Sequence, residues 1–114
     1  MNTKQLRKIL KELKNELEIP ENEKIRIILR PMKTKAASIS LKNGTIRLNK
    51  NLIKKLDEEC IKYLILHELI HYKLRSTNHN ENFQKQLNNK MNKTKIKEIE
   101  NKIITNLLEL NRIF

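Results

Sequence analysis

Three side chains within five positions carry metal chemistry: His67, Glu68 and His71, in the run H-E-L-I-H. The surrounding stretch, Ile61 to Leu74, has neither Gly nor Pro, and its apolar residues recur at helical spacing. On a helix, residues i and i+4 stand one above the other, with Cβ atoms about 6 Å apart. Two imidazoles placed this way can reach one Zn2+ at about 2.0–2.1 Å. Glu68 lies about 100° round the helix from His67, a poor position for a third ligand from the same turn. Its carboxylate is better placed to take a proton from a water that the ion activates. The spacing therefore predicts metal-assisted hydrolysis with Glu68 as general base, the arrangement found in zinc peptidases.

A catalytic zinc usually takes three protein ligands. The chain has only three His, and His79 follows eight residues after His71, just beyond the polar break Arg75-Ser76-Thr77-Asn78. Glu81 is the rival ligand, but Asn78 and Glu81 have the spacing of a capping box, which would start a helix at His79 and occupy Glu81. The expected metal set is thus His67, His71 and His79.

These groups need a scaffold, and the rest of the chain reads as one. Leu64, Ile65, Leu66, Leu69, Ile70 and Leu74 surround most of the central helix, which marks it as a core element running from an N-cap at Asp57 to Leu74. Ahead of it, Leu6, Ile9, Leu10, Leu13 and Leu17 make residues 3–18 an amphipathic helix, with Asn2 and Gln5 as a capping box. Lys24 to Arg30 alternates as a strand. Ala37 to Asn49 reads as a hairpin on a two-residue Asn43-Gly44 turn, pairing Lys42 with Thr45, Leu41 with Ile46 and Ile39 with Leu48. The greasy face of that sheet needs a helix over it, and the central helix is the expected cover. After His79, Phe83, Leu87 and Met91 line one further helix. Thr94 to Phe114 forms a last one, whose apolar stripe is wider than a small core requires.

The expected fold is α+β: a small three-stranded sheet packed on the H-E-x-x-H helix, with an N-terminal helix and two C-terminal helices. A chain of 114 residues makes one domain. Its parts are residues 1–23, a catalytic stretch 24–91, and a C-terminal helix 92–114 for which three roles stand open: covering the cleft, self-association, or a last core helix with no regulatory role. The net charge of +12 raises nucleic acid as a partner, but Lys and Arg are spread along the chain and aromatics make up only 4%, too few for a stacking platform. One Cys, Cys60, permits no internal disulfide, which favours a reducing, cytoplasmic setting, and no apolar run reaches the roughly 20 residues of a membrane span.

H-E-L-I-H at 67–71, followed by Asn78-His79 and Phe83, with strands and a charged helix ahead, resembles the minigluzincins, very small soluble archaeal zinc peptidases. YgjP-like and SprT-like proteins share a related arrangement. The resemblance implies a three-His zinc site on His67, His71 and His79 with Glu68 as general base, and a substrate lying extended along the first strand of the hairpin. The expected activity is a zinc-dependent endopeptidase acting on peptides or proteins, possessing low activity in full-length form. The alternatives are a DNA-associated peptidase of the SprT-like kind and a non-enzymatic domain whose zinc is covered or structural. Tyr63, Tyr72 and Arg47 are the candidates to stabilise an oxyanion.

Overall fold

The computed structural model describes residues 1–112; Ile113 and Phe114, expected on the last helix, lie outside the described residues. In chain order the elements are α1 (Thr3–Glu16), β1 (Arg26–Arg30), β2 (Ala37–Ile39), β3 (Thr45–Asn49), α2 (Lys50–Ile53), α3 (Glu58–Leu74), α4 (Glu81–Lys90) and α5 (Lys93–Leu110). This is the expected α+β architecture, with α2 as an addition that periodicity did not reveal.

α3 is the centre of the molecule. Asp57 caps it by accepting from the Cys60 amide at 3.0 Å, a bond that also holds the Asp57 carboxyl below its ordinary value. Eleven of its seventeen residues are buried. The sheet, α1, α4 and α5 all pack on it. Arg75 terminates it in the left-handed conformation at φ 51°, a strained geometry for a residue with a Cβ. α1 begins with the expected capping box, Gln5 amide to Asn2 Oδ1 at 2.9 Å and Asn2 amide to Gln5 Oε1 at 2.8 Å. It buries Leu6, Ile9, Leu10 and Leu13.

The sheet is mixed, in the order β1-β3-β2, with β1 parallel and β2 antiparallel to β3. Its hairpin corrects the expected register. Ile39 pairs with Ile46, Ser38 with Arg47 and Ala37 with Leu48, so the connection is the four-residue loop Leu41–Gly44 rather than a tight Asn43-Gly44 turn. The pairing between Ser40 and Thr45 closes it at 2.9 Å. Gly44 is still required, for another reason: its φ is +72°, and a Cβ there would stand 2.6 Å from the Lys24 carbonyl. Its own carbonyl accepts from the Arg26 amide at 3.1 Å, so this glycine is where β1 joins the hairpin. The slip is by two residues, so the faces are unchanged: Ile46 and Leu48 remain fully buried toward α3.

Asn49, the last residue of β3, is fully buried and uses its whole amide. Oδ1 caps α2 through the Asn51 and Leu52 amides, both at 3.2 Å. Nδ2 donates to the Met32 and Lys35 carbonyls at 2.9 and 3.0 Å, holding the connection between β1 and β2 in place.

Candidate active site

α3 presents His67 and His71 one turn apart, their ring centroids separated by 4.8 Å. The left-handed turn at Arg75 then sends the chain back over the end of the helix. Ser76 is tied to His71 twice: its amide donates to the His71 carbonyl at 3.2 Å, and its carbonyl sits 2.8 Å from His71 Nδ1. A proton on Nδ1 is used by that carbonyl, which leaves the Nε2 lone pair free, 3.1 Å from His79 Nε2. Burial lowers the pKa of His71, which keeps the ring neutral and able to donate that lone pair. One nitrogen from each of His67, His71 and His79 lies within 4.8 Å of the others, the only such cluster of His, Cys, Asp or Glu among the described residues. Three nitrogens about one ion at 2.0–2.1 Å are at most about 4.2 Å apart. In the tetrahedral geometry of zinc that separation falls to about 3.3–3.4 Å, so the three side chains are gathered for one ion and their widest spacing must close by on the order of 1 Å for all three to ligate it.

His79 stands in coil, not at the head of a helix. The N-cap of α4 is Asn80, whose side chain accepts from the Phe83 amide at 3.1 Å, while the Asn78 amide is turned to Ser76 Oγ. The expected Asn78–Glu81 capping box therefore does not form: Asn80, three residues before Phe83, takes the cap in place of Asn78. Glu81 is outside the cluster, an exposed side chain with Lys85 at 3.7 Å.

Phe83 is the floor under the three imidazoles. Its ring centroid lies 4.9 Å from His67, 4.5 Å from His71 in a stacked arrangement, and 4.9 Å from His79. It is 1% exposed. Periodicity marked Phe83 as a core residue; its contact with the whole triad follows from the coil at 75–80, which no local pattern foretells. Glu68 is buried on the next position of α3, with Oε2 3.0 Å from His67 Nδ1.

A cleft of about 640 Å³ opens above these residues. One wall is Lys35 to Ile39, the free-edge side of the sheet; the opposite wall is α5, through Glu100, Ile103 and Ile104. Of the three proposed oxyanion partners only Tyr63 is in the cleft. Its hydroxyl donates to Glu100 Oε2 at 2.6 Å, and burial, then that carboxylate, drive its pKa upward. Tyr72 points the other way, donating to Glu23 Oε2 at 2.6 Å, with the Arg75 guanidinium 3.9 Å above its ring. Arg47 lies on the far face of the sheet, near Ser38 Oγ at 3.5 Å. Glu23 and Glu100 thus enter the site's surroundings from segments that gave no chemical signal in the sequence.

The family model for the YgjP-like metallopeptidase domain matches residues 2–102. This chain belongs to the YgjP-like metallopeptidases. An uncharacterized Methanocaldococcus jannaschii protein is 46% identical over 107 residues, covering 94% of this chain and 96% of the relative. An uncharacterized Aquifex aeolicus protein is 42% identical over 79 residues, 69% of each chain. Two solved structures share the fold. The metallopeptidase zymogen of Methanocaldococcus jannaschii jannalysin superposes with a TM-score of 0.79 at 46% identity, over 90% of this chain and 96% of that one. That of Pyrococcus abyssi abylysin has a TM-score of 0.81 at 30% identity, over 90% and 95%. The resemblance first carried by residues 67–83 therefore extends over nearly the whole YgjP-like chain. No described helix is long and apolar enough to cross a membrane.

Proposed function

We propose that this metallopeptidase is a zinc-dependent endopeptidase in which His67, His71 and His79 hold the ion and Glu68 is the general base. The convergence of three imidazole nitrogens within 4.8 Å, beside a buried carboxylate and at the foot of an open cleft, carries the reading. Bound there, zinc would polarise the scissile carbonyl and bring the pKa of a water down toward 7. Glu68 takes the proton of the attacking water and passes it to the leaving amine. The substrate lies extended against the free edge of β2, adding a strand through main-chain hydrogen bonds.

The two solved relatives are zymogens, and in this chain α5 is both a cleft wall and a core element. Ile96, Ile99 and Ile103 are buried, whereas Ile104 and Leu108 are exposed. That arrangement supports low activity in the full-length form, and the exposed pair supports self-association along α5. Removing α5 would strip the core, so the test is Glu100→Ala with Ile104→Ala, expected to raise cleavage at constant fold; unchanged or reduced cleavage would count against latency. The main assay is metal analysis beside cleavage of a quenched peptide. Glu68→Gln should retain close to one zinc per chain and lose hydrolysis. Protein made without chelators that contains no zinc, or a Glu68→Gln variant that cleaves at the parent rate, would end this reading.

A further inference from the structure

The basic residues are spread along the chain, but the acidic ones are not. Residues 24 to 56 contain ten Lys or Arg and no Asp or Glu, leaving fifteen basic residues against all thirteen acidic ones elsewhere. That stretch is the whole sheet and α2. Ile27, Leu29, Ala37, Ile39, Ile46 and Leu48 face the core, so alternation turns Arg26, Arg30, Ser38 and Arg47 to the opposite face. No described ion pair involves Arg26, Arg30 or Arg47. Arg47 lies opposite both Ile28 of β1 and Ser38 of β2, in the middle of the sheet. Ser38 is the link to the active site: it lines the cleft and sits 3.5 Å from the Arg47 guanidinium.

We propose that this sheet face selects acidic polypeptide substrates, with Arg47 reading a carboxylate on the substrate residue that pairs with Ser38. The inference rests on the proposed function above, since it takes the occupant of the β2 edge to be a polypeptide. A strand added to β2 sends every second side chain to the open face and the others into the cleft. The side chain beside Ser38 meets only a serine, and Arg47 lies one strand further, about two strand spacings of 4.8 Å from the added backbone. A Glu and an Arg side chain together span that gap. Next along the face, Arg26 crosses Thr45, its Nε 3.1 Å from Oγ1, and extends the positive field toward the residue beside Ser40. Residues 24–56 contribute no acidic residue to the face, and no described ion pair engages these guanidiniums. Aromatic platforms for bases are lacking there too, which favours a carboxylate-bearing polypeptide over nucleic acid.

The test uses two labelled peptides that differ only in carrying Glu or Gln at every second position. Binding is read by anisotropy on the zinc-loaded Glu68→Gln protein, and cleavage on the parent protein. The Glu peptide should bind about fivefold tighter at about 20 mM salt, with the ratio falling toward one near 0.5 M as exposed charges are screened. Arg47→Gln with Arg26→Gln should bring the low-salt ratio close to one, and Arg47→Lys should keep most of it. Equal binding of the two peptides, or a preference that survives loss of both arginines, overturns the proposal. So does a DNA duplex that binds this face more tightly than the Glu peptide. Preferential binding with no cleavage of either peptide, by the parent or by the Glu100→Ala and Ile104→Ala variant, would sink the endopeptidase reading and leave the preference for acidic polypeptides standing.

Discussion

Asn49 is expected to be the most sensitive polar residue away from the triad, and Asn49→Ala measures how far the cleft wall depends on it. The side chain is fully buried and makes four hydrogen bonds. Two of them cap α2, and losing an Asn cap costs about 1 kcal/mol. The other two satisfy the Met32 and Lys35 carbonyls; each such bond contributes about 1 kcal/mol net, and a carbonyl left dry costs somewhat more. The expected loss is about 3 kcal/mol, on the order of 10–15 °C in melting temperature for a domain of this size. Asn49→Asp sharpens the test, because it keeps an acceptor for the α2 amides but turns a carboxylate oxygen toward two carbonyls. It should therefore be no more stable than the Ala variant near neutral pH, although it preserves shape. Lys35 lines the cleft and runs directly into β2, so peptide cleavage should fall in both variants even below their melting temperatures. Urea denaturation gives the free energies, and cleavage at 25 °C gives the second readout. A loss under about 1 kcal/mol for Asn49→Ala, or an Asp variant as stable as the parent, would refute this account of the loop.

Further outcomes follow from the same geometry. His79→Ala should weaken zinc at least a hundredfold in a chelator competition, whereas Glu81→Ala, an exposed residue outside the triad and not a cap, should change neither affinity nor stability measurably; the reverse order would make Glu81 the ligand. For the metal-free protein the sign of the pH dependence is set by His71, whose folded pKa lies below the ordinary 6.5 because it is buried. The unfolded chain then binds more protons, so this contribution to stability is complete above about pH 6.5 and is lost as pH falls through the lowered folded value. Denaturation midpoints at pH 7.5 and 5 should show that slope, and His71→Gln should flatten it. Cys60 is 1% exposed and burial pushes its thiol up to about 11, so iodoacetamide at pH 8 should label it only on unfolding; rapid labelling of the native protein would contradict its place in the core.

What could be read from the sequence was set by how local its cause is. The His67, Glu68 and His71 spacing is a property of one helix, and α3 forms over the expected stretch with the expected Asp57 cap. The α1 capping box is equally local and equally correct. The hairpin register failed because Asn43-Gly44 is a strong turn signal on its own, whereas Gly44 answers to a distant neighbour, the Lys24 carbonyl. Asn78 and Asn80 are competing caps two positions apart. Glu81 favoured the first by spacing, but the second forms, with Asn80 accepting from the Phe83 amide while Asn78 turns to Ser76, a partner outside the helix. Asn49, Glu23 and Glu100 act across 14 or more positions in sequence, through partners that periodicity does not connect.

The small size of the scaffold explains why the third imidazole needs so much support. His67 and His71 are fixed by a helix buried on most sides, but His79 belongs to an exposed coil of few residues. Three features hold that coil: the left-handed Arg75, the paired bonds between Ser76 and His71, and the Phe83 ring under the triad. Arg75 is itself held by Glu23 at 3.4 Å and by the Tyr72 ring, so the segment after α1 reaches the ligand loop from behind. An ion at the triad would join the most deeply buried helix to the least buried part of the site. Binding there would restrain residues 76–80, of which Thr77 and His79 line the cleft. The coil carries both a triad imidazole and part of the cleft lining, so an ion held at the triad would bear on the shape of the cleft through it.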